Sequence, residues 1–354
     1  MSKVMVGMSG GVDSSVCALL LHEQGYDVTG VTLTMFNSDD IVSTEKKCGS
    51  LSDVRDAESV AHNLGFEHMT FNFRDCFREK VMKSFADSYI SGKTPNPCIE
   101  CNRYVKFGKM LETALENGFD YIATGHYAVV EYDEKSGRYL LKRSADRTKD
   151  QTYVLYSLTQ EQLAHIIFPL GNLSKSEVRQ LAEKYNLVNA DKPDSQDICF
   201  VPDGNYVEFI KKFAEYEQTE GNFVDTYGKI LGTHKGIINY TIGQRKGLGI
   251  ALGKPAYVVS KDISANTVTL GDEQELYTST LTATDVNLIS VEKITEPMRI
   301  TAKTRYTQKE TPATLSCNNG VYTVDFDVPQ RAITSGQAVV FYDGDIVVGG
   351  GTIV

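Results

Sequence analysis

The sequence predicts an α/β domain built on a parallel sheet, followed by a small β-rich domain and a C-terminal β-barrel. Three observations lead there. Apolar, β-branched runs alternate with helical periodicities over the first third of the chain, the pattern of strands buried on both faces by the helices between them. Helical patterning stops near residue 212. From Ala256 to Val354 the chain is almost wholly β-like, with turns such as "SCNNGVY" and "FYDGDIVVGGG". The domains are therefore drawn at 1–211, 212–275 and 276–354.

Taken in order, "KVMVGMS" is a short apolar strand, Ser14 to Gln24 a helix closed by Gly25, and "DVTGVTLTMF" a second strand. In "SLSDVRDAESVAHNLG", Val54, Ala57, Val60, Ala61 and Leu64 fall on one helical face, and Gly65 ends it. Strand "EHMTFNF" and a helix around Arg78 to Tyr89 follow. A Pro-rich stretch, "TPNPCIECN", reads as a loop, then Arg103 to Glu116 as a helix, and "FDYIATGHY" as a strand running into a glycine turn. From about Glu131 the rhythm changes to a hairpin, "VVEYDEKSGRYLLKR", and helices begin after Thr159 and Ser174, where Ser174 and Glu177 make a capping box. The glycine-rich "GNFVDTYGKILGTHKGIINYTIGQRKGLGI" opens the middle domain.

At 354 residues, 41% of them apolar, the chain can bury a sizeable core. It holds no run of eighteen apolar residues, and "MSKVMVGMSGG" enters a strand at once, so a cytoplasmic protein without a membrane partner is expected. Seven cysteines, odd in number and without regular spacing, are thiols kept for chemistry, for a metal or as small core residues. A net charge of −10 argues against a wholly basic surface and leaves room for a local nucleic-acid patch.

The strongest motif is "SGGVDSS", Ser9 to Ser15, between a strand and a helix. Its glycines allow backbone N–H groups to close around an anion at the positive end of the helix, so a phosphate belongs there. It lacks the lysine of a Walker A loop. Asp13, acidic where an anion is to bind, is assigned to a Mg2+ bridging the phosphates. Gly7, Met8, Ser9, Gly10, Gly11, Val12, Asp13, Ser14 and Ser15 form the candidate nucleotide loop. In "TPNPCIECN", Pro95 and Pro97 fix two φ angles and hold the thiols at little ordering cost.

The glycine-rich loop resembles the signature of the PP-loop ATP pyrophosphatases, which have an adenine nucleotide alpha-hydrolase-like fold and cleave ATP between the α- and β-phosphates to place AMP on a carbonyl oxygen. The set "TPNPCIECN", "YIATGHYA", "DRTKDQTYVLYSL", "DSQDICF", "YTIGQRKGLGI" and "KTRY" is similar, in the family's order and over essentially the whole chain, to the tRNA-specific 2-thiouridylase family. The resemblance implies ATP-dependent 2-thiolation of wobble uridine 34 in tRNAs for Lys, Glu and Gln, with ATP and Mg2+, and with sulfur brought by a persulfide relay or a cysteine desulfurase. It implies Cys101 as nucleophile and Cys199 as persulfide carrier, ending as a Cys101–Cys199 disulfide. It implies ATP contacts at Met35 and Gly125. For tRNA it implies Asn96, Pro97, Cys98, His126, Lys149, Asp150, Gln151, Arg305, Tyr306 and Gln337. Uracil C2 lies inside a stacked loop, so the base has to be flipped out for chemistry.

One position departs from the family: where many members carry an aspartate after Pro-Asn-Pro, here stands Cys98, creating a C-x-x-C. A second reading of the sulfur step is thereby open, a [4Fe–4S] cluster on Cys98, Cys101 and Cys199. Arg103, Lys106, Lys109, Arg143, Arg245 and Lys246 are candidate phosphate contacts, and Cys17, Cys48, Cys76 and Cys317 are expected to be structural. The rival function is a PP-loop synthetase or amidotransferase acting on a small-molecule carbonyl.

Overall fold

The structure is a computed structural model that describes residues 1–37, 51–193 and 198–354. Its first sheet is parallel throughout. Strand β1 (Lys3–Gly7) lies between β2 (Asp27–Thr34), with β3 (Glu67–Asn72) outside it, and β4 (Tyr121–Thr124). The chain then turns out of this sheet through the antiparallel hairpin β5 (Ala128–Asp133) and β6 (Arg138–Arg143), and returns as the two-residue strand β7 (Ile166–Ile167) beside β4.

Val4, Met5 and Val6 are fully buried, because β1 is covered on both faces and its alternate side chains serve two different cores. Val4 and Val6 pack with helix α1 (Val12–Glu23) and helix α2 (Leu51–Leu64), through Val16, Ala57 and Val60. Met5 joins a larger cluster with two helical runs, α3 over 74–90 and α4 over 97–116. Each run contains a π-helical stretch, Arg78–Lys83 in α3 and Cys101–Lys109 in α4, a geometry frequent at functional sites. One turn of helix, α5 (Gln160–Leu163), and helix α6 (Lys175–Lys184) both open on capping boxes, the second the expected Ser174 and Glu177 pair.

Helix α4 begins six residues before the expected start, so the two thiols sit on a helix and not in a loop. The cause is local. Pro97 takes the first helical position, where its missing N–H costs nothing, and Asn96 caps the end by accepting from the Cys98 backbone N–H at 3.1 Å.

After helix α7 (Tyr206–Phe213) comes a four-stranded sheet of β8 (Gly221–Val224), β9 (Ile230–His234), β10 (Tyr257–Asp262) and β11 (Thr267–Gly271), in the order β10-β11-β8-β9. Its core residues Phe223, Val258 and Val268 are continuous with the cluster around Met5. The last six strands, β12 (Tyr277–Leu288), β13 (Met298–Lys303), β14 (Thr311–Asn318), β15 (Val321–Arg331), β16 (Ala338–Asp343) and β17 (Ile346–Ile353), form an antiparallel barrel in the order 12-15-14-13-16-17, closed by β12 on β17.

The hairpin drawn within the first domain is stitched to this barrel: β6 pairs with β17 through Lys142 and Ile346, and the Arg143 N–H donates to the Asp345 carbonyl at 2.9 Å. The Tyr153 hydroxyl donates to the Ala338 carbonyl at 2.8 Å, and the Asn287 amide to the Tyr156 and Leu158 carbonyls at 2.7 and 2.8 Å. Among the described residues no helix is long and apolar enough to cross a membrane.

Candidate nucleotide and thiol site

The glycine-rich loop leaves the C-terminal end of β1, where open α/β sheets bind ligands. Gly11 precedes α1 and has no side chain with which to cap it, so the first N–H groups of the helix point into the loop without a side-chain partner from that residue. Gly10 has φ +75°, and a Cβ there would lie 2.4 Å from the Asp53 carbonyl oxygen; only glycine fits. The Ser14 hydroxyl donates to the Gly11 carbonyl at 2.9 Å and accepts from the Ser9 N–H at 3.2 Å, while the Ser15 hydroxyl donates to Gly11 at 3.2 Å. Met8 and Val12 are buried supports of this turn.

Gly125 also has a steric reason. A Cβ on it would meet the Asp13 carbonyl carbon at 2.7 Å and the Ser14 nitrogen at 2.8 Å, so the end of β4 lies directly on the start of α1. Met35, just past β2, is half-buried against the main core.

Four groups near the loop escaped the sequence reading. Lys175 places its ammonium 2.7 and 2.8 Å from the two Asp13 oxygens, and the Tyr127 hydroxyl donates to Asp13 at 2.8 Å. Asn189 donates to the Gly10 carbonyl at 3.0 Å and the Ser15 hydroxyl at 2.8 Å; Lys192 donates to the same carbonyl at 3.1 Å and bridges Asp53 and Asp56 at 2.5 and 2.9 Å. The carboxylate expected to ligate Mg2+ is thus already matched by an ammonium, and a metal there would have to displace Lys175. The loop fits a polyphosphate; the Asp13 carboxylate fits a metal only after that exchange.

Cys98 and Cys101 stand on the first two turns of α4. Cys101 is buried, and burial pushes its thiol up to about 11 against a partial lowering by Lys106. Cys98 reaches solvent, yet the protein packed round it still raises its thiol, again with Lys106 opposing. Burial, with a smaller contribution from the Lys106 charge, holds His126 well below its ordinary value, so it is neutral at pH 7. His126 is buried, enclosed by the Phe107 and Phe168 rings and bonded to the Thr124 hydroxyl at 2.7 Å. Gly125 lies on the start of α1, and the Lys106 charge acts on His126, Cys98 and Cys101, so neighbouring residues link the nucleotide loop to the thiols.

Cys199 packs against the apolar cluster that contains Cys101, anchored by its neighbour Phe200 among the Phe77, Phe85 and Phe209 rings. The cradle expected of Cys98, Cys101 and Cys199 is not assembled: among the described residues no three His, Cys, Asp or Glu side chains converge to hold a metal. One thiol is buried within the helix and another faces solvent, and the arrangement does not fit a cluster. Cys17 is fully buried, as expected of a structural residue, while Cys48 lies outside the described residues.

The residues expected to meet RNA have protein partners. Asn96 is the helix cap, the Asp150 carboxylate accepts from the Ser144 N–H at 3.2 Å and the Thr152 hydroxyl at 2.8 Å, and Gln151 accepts from the Tyr127 N–H at 2.9 Å. Arg305 donates to the Ala332 carbonyl at 2.8 Å, and Gln337 to the Thr94 carbonyl at 2.8 Å. Pro97 is buried in the first turn of α4. Lys149 follows the β5–β6 hairpin and is half-buried. Tyr306 is 40% exposed, and burial, then the charges of Asp150 and Cys98, raises its phenol above the ordinary value. Of the basic candidates, Arg103 pairs with Asp285, Arg143 with Glu310 and Lys109 with Glu112. Arg245 lines an open cavity of about 440 Å3 whose walls come from residues 245–256 alone, apart from the nucleotide loop and the thiols.

Family models match along the chain: a tRNA methyl transferase HUP domain over residues 2–203, a tRNA methyl transferase PRC-barrel domain over 207–272 and an aminomethyltransferase beta-barrel domain over 278–353. Curated relatives include a "tRNA-specific 2-thiouridylase MnmA" of Acetivibrio thermocellus, 57% identical with 99% of each chain covered, and one of Clostridioides difficile, 53% identical with 99% of this chain and 98% of the relative covered. A third, of Thermoanaerobacter sp., is 56% identical with 99% and 98% covered. This chain belongs to the tRNA-specific 2-thiouridylase MnmA family.

Proposed function

We propose that the protein is a cytoplasmic tRNA-uridine 2-sulfurtransferase that adenylates the C2 oxygen of a wobble uridine and then exchanges that oxygen for sulfur. The observation that carries the reading is the continuity of an uncapped, glycine-built anion loop with a pair of thiols through Gly125, His126 and Lys106. An anion loop and a thiol pair on neighbouring elements are what sulfur transfer through an adenylate needs.

ATP is held by the backbone N–H groups of the loop and the start of α1. The uracil O2 attacks the α-phosphorus, the bond to the bridging oxygen breaks and pyrophosphate leaves. Mg2+ supplies neutralisation of the phosphate charge when bound, with Asp13 as the residue to hold it once Lys175 has moved to the phosphates. A persulfide on Cys199 then attacks C2 through its terminal sulfur. The Cys101 thiolate attacks Cys199 Sγ and breaks the S–S bond, AMP departs with the former O2, and sulfur remains as the thiocarbonyl. Cys101 and Cys199 are left as a disulfide, which a thiol donor reduces by two electrons before the next turnover. Tyr306, with its ring 40% exposed, would stack on the extruded base.

The test incubates the protein with ATP, Mg2+, a persulfide donor and an unmodified tRNA carrying uridine at the wobble position, and follows 2-thiouridine by mercury-gel retardation with AMP and pyrophosphate in parallel. One AMP per 2-thiouridine is expected, and no 2-thiouridine with Cys101→Ser. AMP formation that depends on a small carbonyl compound and ignores tRNA would replace this reading with the synthetase one.

A further inference from the structure

We propose that Gln337 is a positioning residue for the thiols, acting with Gly336 as a clasp by which the barrel seats the start of α4. The inference rests on the proposed sulfur transfer, and it gives Gln337 a different duty from the RNA contact that the family resemblance implies.

The segment before the thiols cannot satisfy its own backbone. Pro95 and Pro97 have no N–H to give, and the carbonyls of Thr94 and Pro95 need donors from elsewhere. The barrel provides them. Gln337 Nε2 donates to the Thr94 carbonyl at 2.8 Å, with the Pro95 carbonyl at 3.5 Å, and the Thr94 N–H donates to the Ser335 carbonyl at 2.9 Å. Gly336 lets the two segments touch: its φ is +88°, and a Cβ there would lie 2.8 Å from Lys93 Cβ and 3.0 Å from the Thr94 nitrogen.

The clasp is braced from behind. Arg305 donates to the Ala332 carbonyl at 2.8 Å and the Thr334 hydroxyl at 3.1 Å. The Gly336 N–H donates to Ile353 at 2.9 Å, and the Ile353 N–H returns to Gln337 at 2.8 Å, tying the loop to the last strand. Beyond Pro95 the path to the thiols is stiff: Asn96 caps, Pro97 starts the helix, and Cys98 and Cys101 follow within two turns. Gln337 spends its amide donor on this segment, so its energy goes into where the thiols stand.

The test uses the full-length protein with Gln337→Met, which keeps the volume and removes the donor, and Gly336→Ala, which forces the segments apart. Two readouts are taken: kcat and KM for tRNA in 2-thiouridine formation, and the rates at which iodoacetamide labels Cys98 and Cys101 without ATP or RNA, read by peptide mass spectrometry. The clasp predicts a kcat lowered about tenfold or more with KM for tRNA nearly unchanged, and Cys101 labelling accelerated about fivefold as the helix start loosens. A raised KM for tRNA with unaltered labelling would overturn it in favour of an RNA contact, and unaltered labelling with unaltered kinetics would overturn it outright. If the unsubstituted protein makes no 2-thiouridine, the proposed function fails while the labelling rates still decide the clasp. Should Gly336→Ala not fold, Gln337→Met answers alone.

Discussion

Cys101 sits where its own ionisation is opposed. Burial raises its thiol to about 11, and Lys106 offers the counteracting charge; the thiolate is the nucleophile, so the resting residue is held back. Its alkylation rate in the ligand-free protein is expected to climb steadily through pH 9 and level only near 11, and Lys106→Met should push that profile higher still. A plateau near pH 8.5 in stopped-time labelling would mean the thiol is not buried as described. At this scale the sequence was partly legible. Asp13, Cys101 and the glycines stand in compact motifs, whereas Lys175, Tyr127 and Lys192 reach the loop across separations of 114 to 182 residues, and no local pattern encodes a partner that distant. Asn96 was legible in principle, since Asn followed by Pro is a helix-start signal, but the proline-rich context reads first as a loop.

Among the elements, the contact between the end of β4 and the start of α1 sets the nucleotide loop. Gly125 has backbone atoms of Asp13 and Ser14 within 2.9 Å of where a Cβ would stand, and backbone cannot step aside as a side-chain tip can. Gly125→Ala is expected to destabilise by about 1–3 kcal/mol through overpacking and to weaken ATP binding more than tRNA binding. Urea unfolding and nucleotide titration check the two effects; a variant that binds ATP as tightly as the parent would show that α1 can shift without harm. The strand and helix order of the first sheet followed from periodicity. Strand β7 did not, because two residues leave no pattern to read.

For the whole molecule, three histidines in different places share one condition. His68, His126 and His234 all lie below their ordinary value of 6.5, burial being the leading cause in each. A depressed folded value means the unfolded chain binds more protons. The stability they carry is therefore present above about pH 6.5 and is lost as pH falls through their folded values, at roughly 1.4 kcal/mol per proton per pH unit. Urea midpoints should fall between pH 7.5 and 5.5, and His126→Gln should flatten that slope; an unchanged slope would remove His126 from the account. The three-module plan was legible in composition and turn spacing, but the pairing of β6 with β17 was not, since Lys142 and Ile346 are brought together only by the closed fold.

That pairing also fixes an order in time. The β5–β6 hairpin leaves the ribosome about two hundred residues before β17 exists, which at ~5–20 residues per second is a wait of roughly 10–40 s. Thr94 waits longer still for Gln337. A nascent chain can complete its nucleotide loop while the helix that bears its thiols is unseated, so thiol chemistry matures last, with the final strand of the barrel.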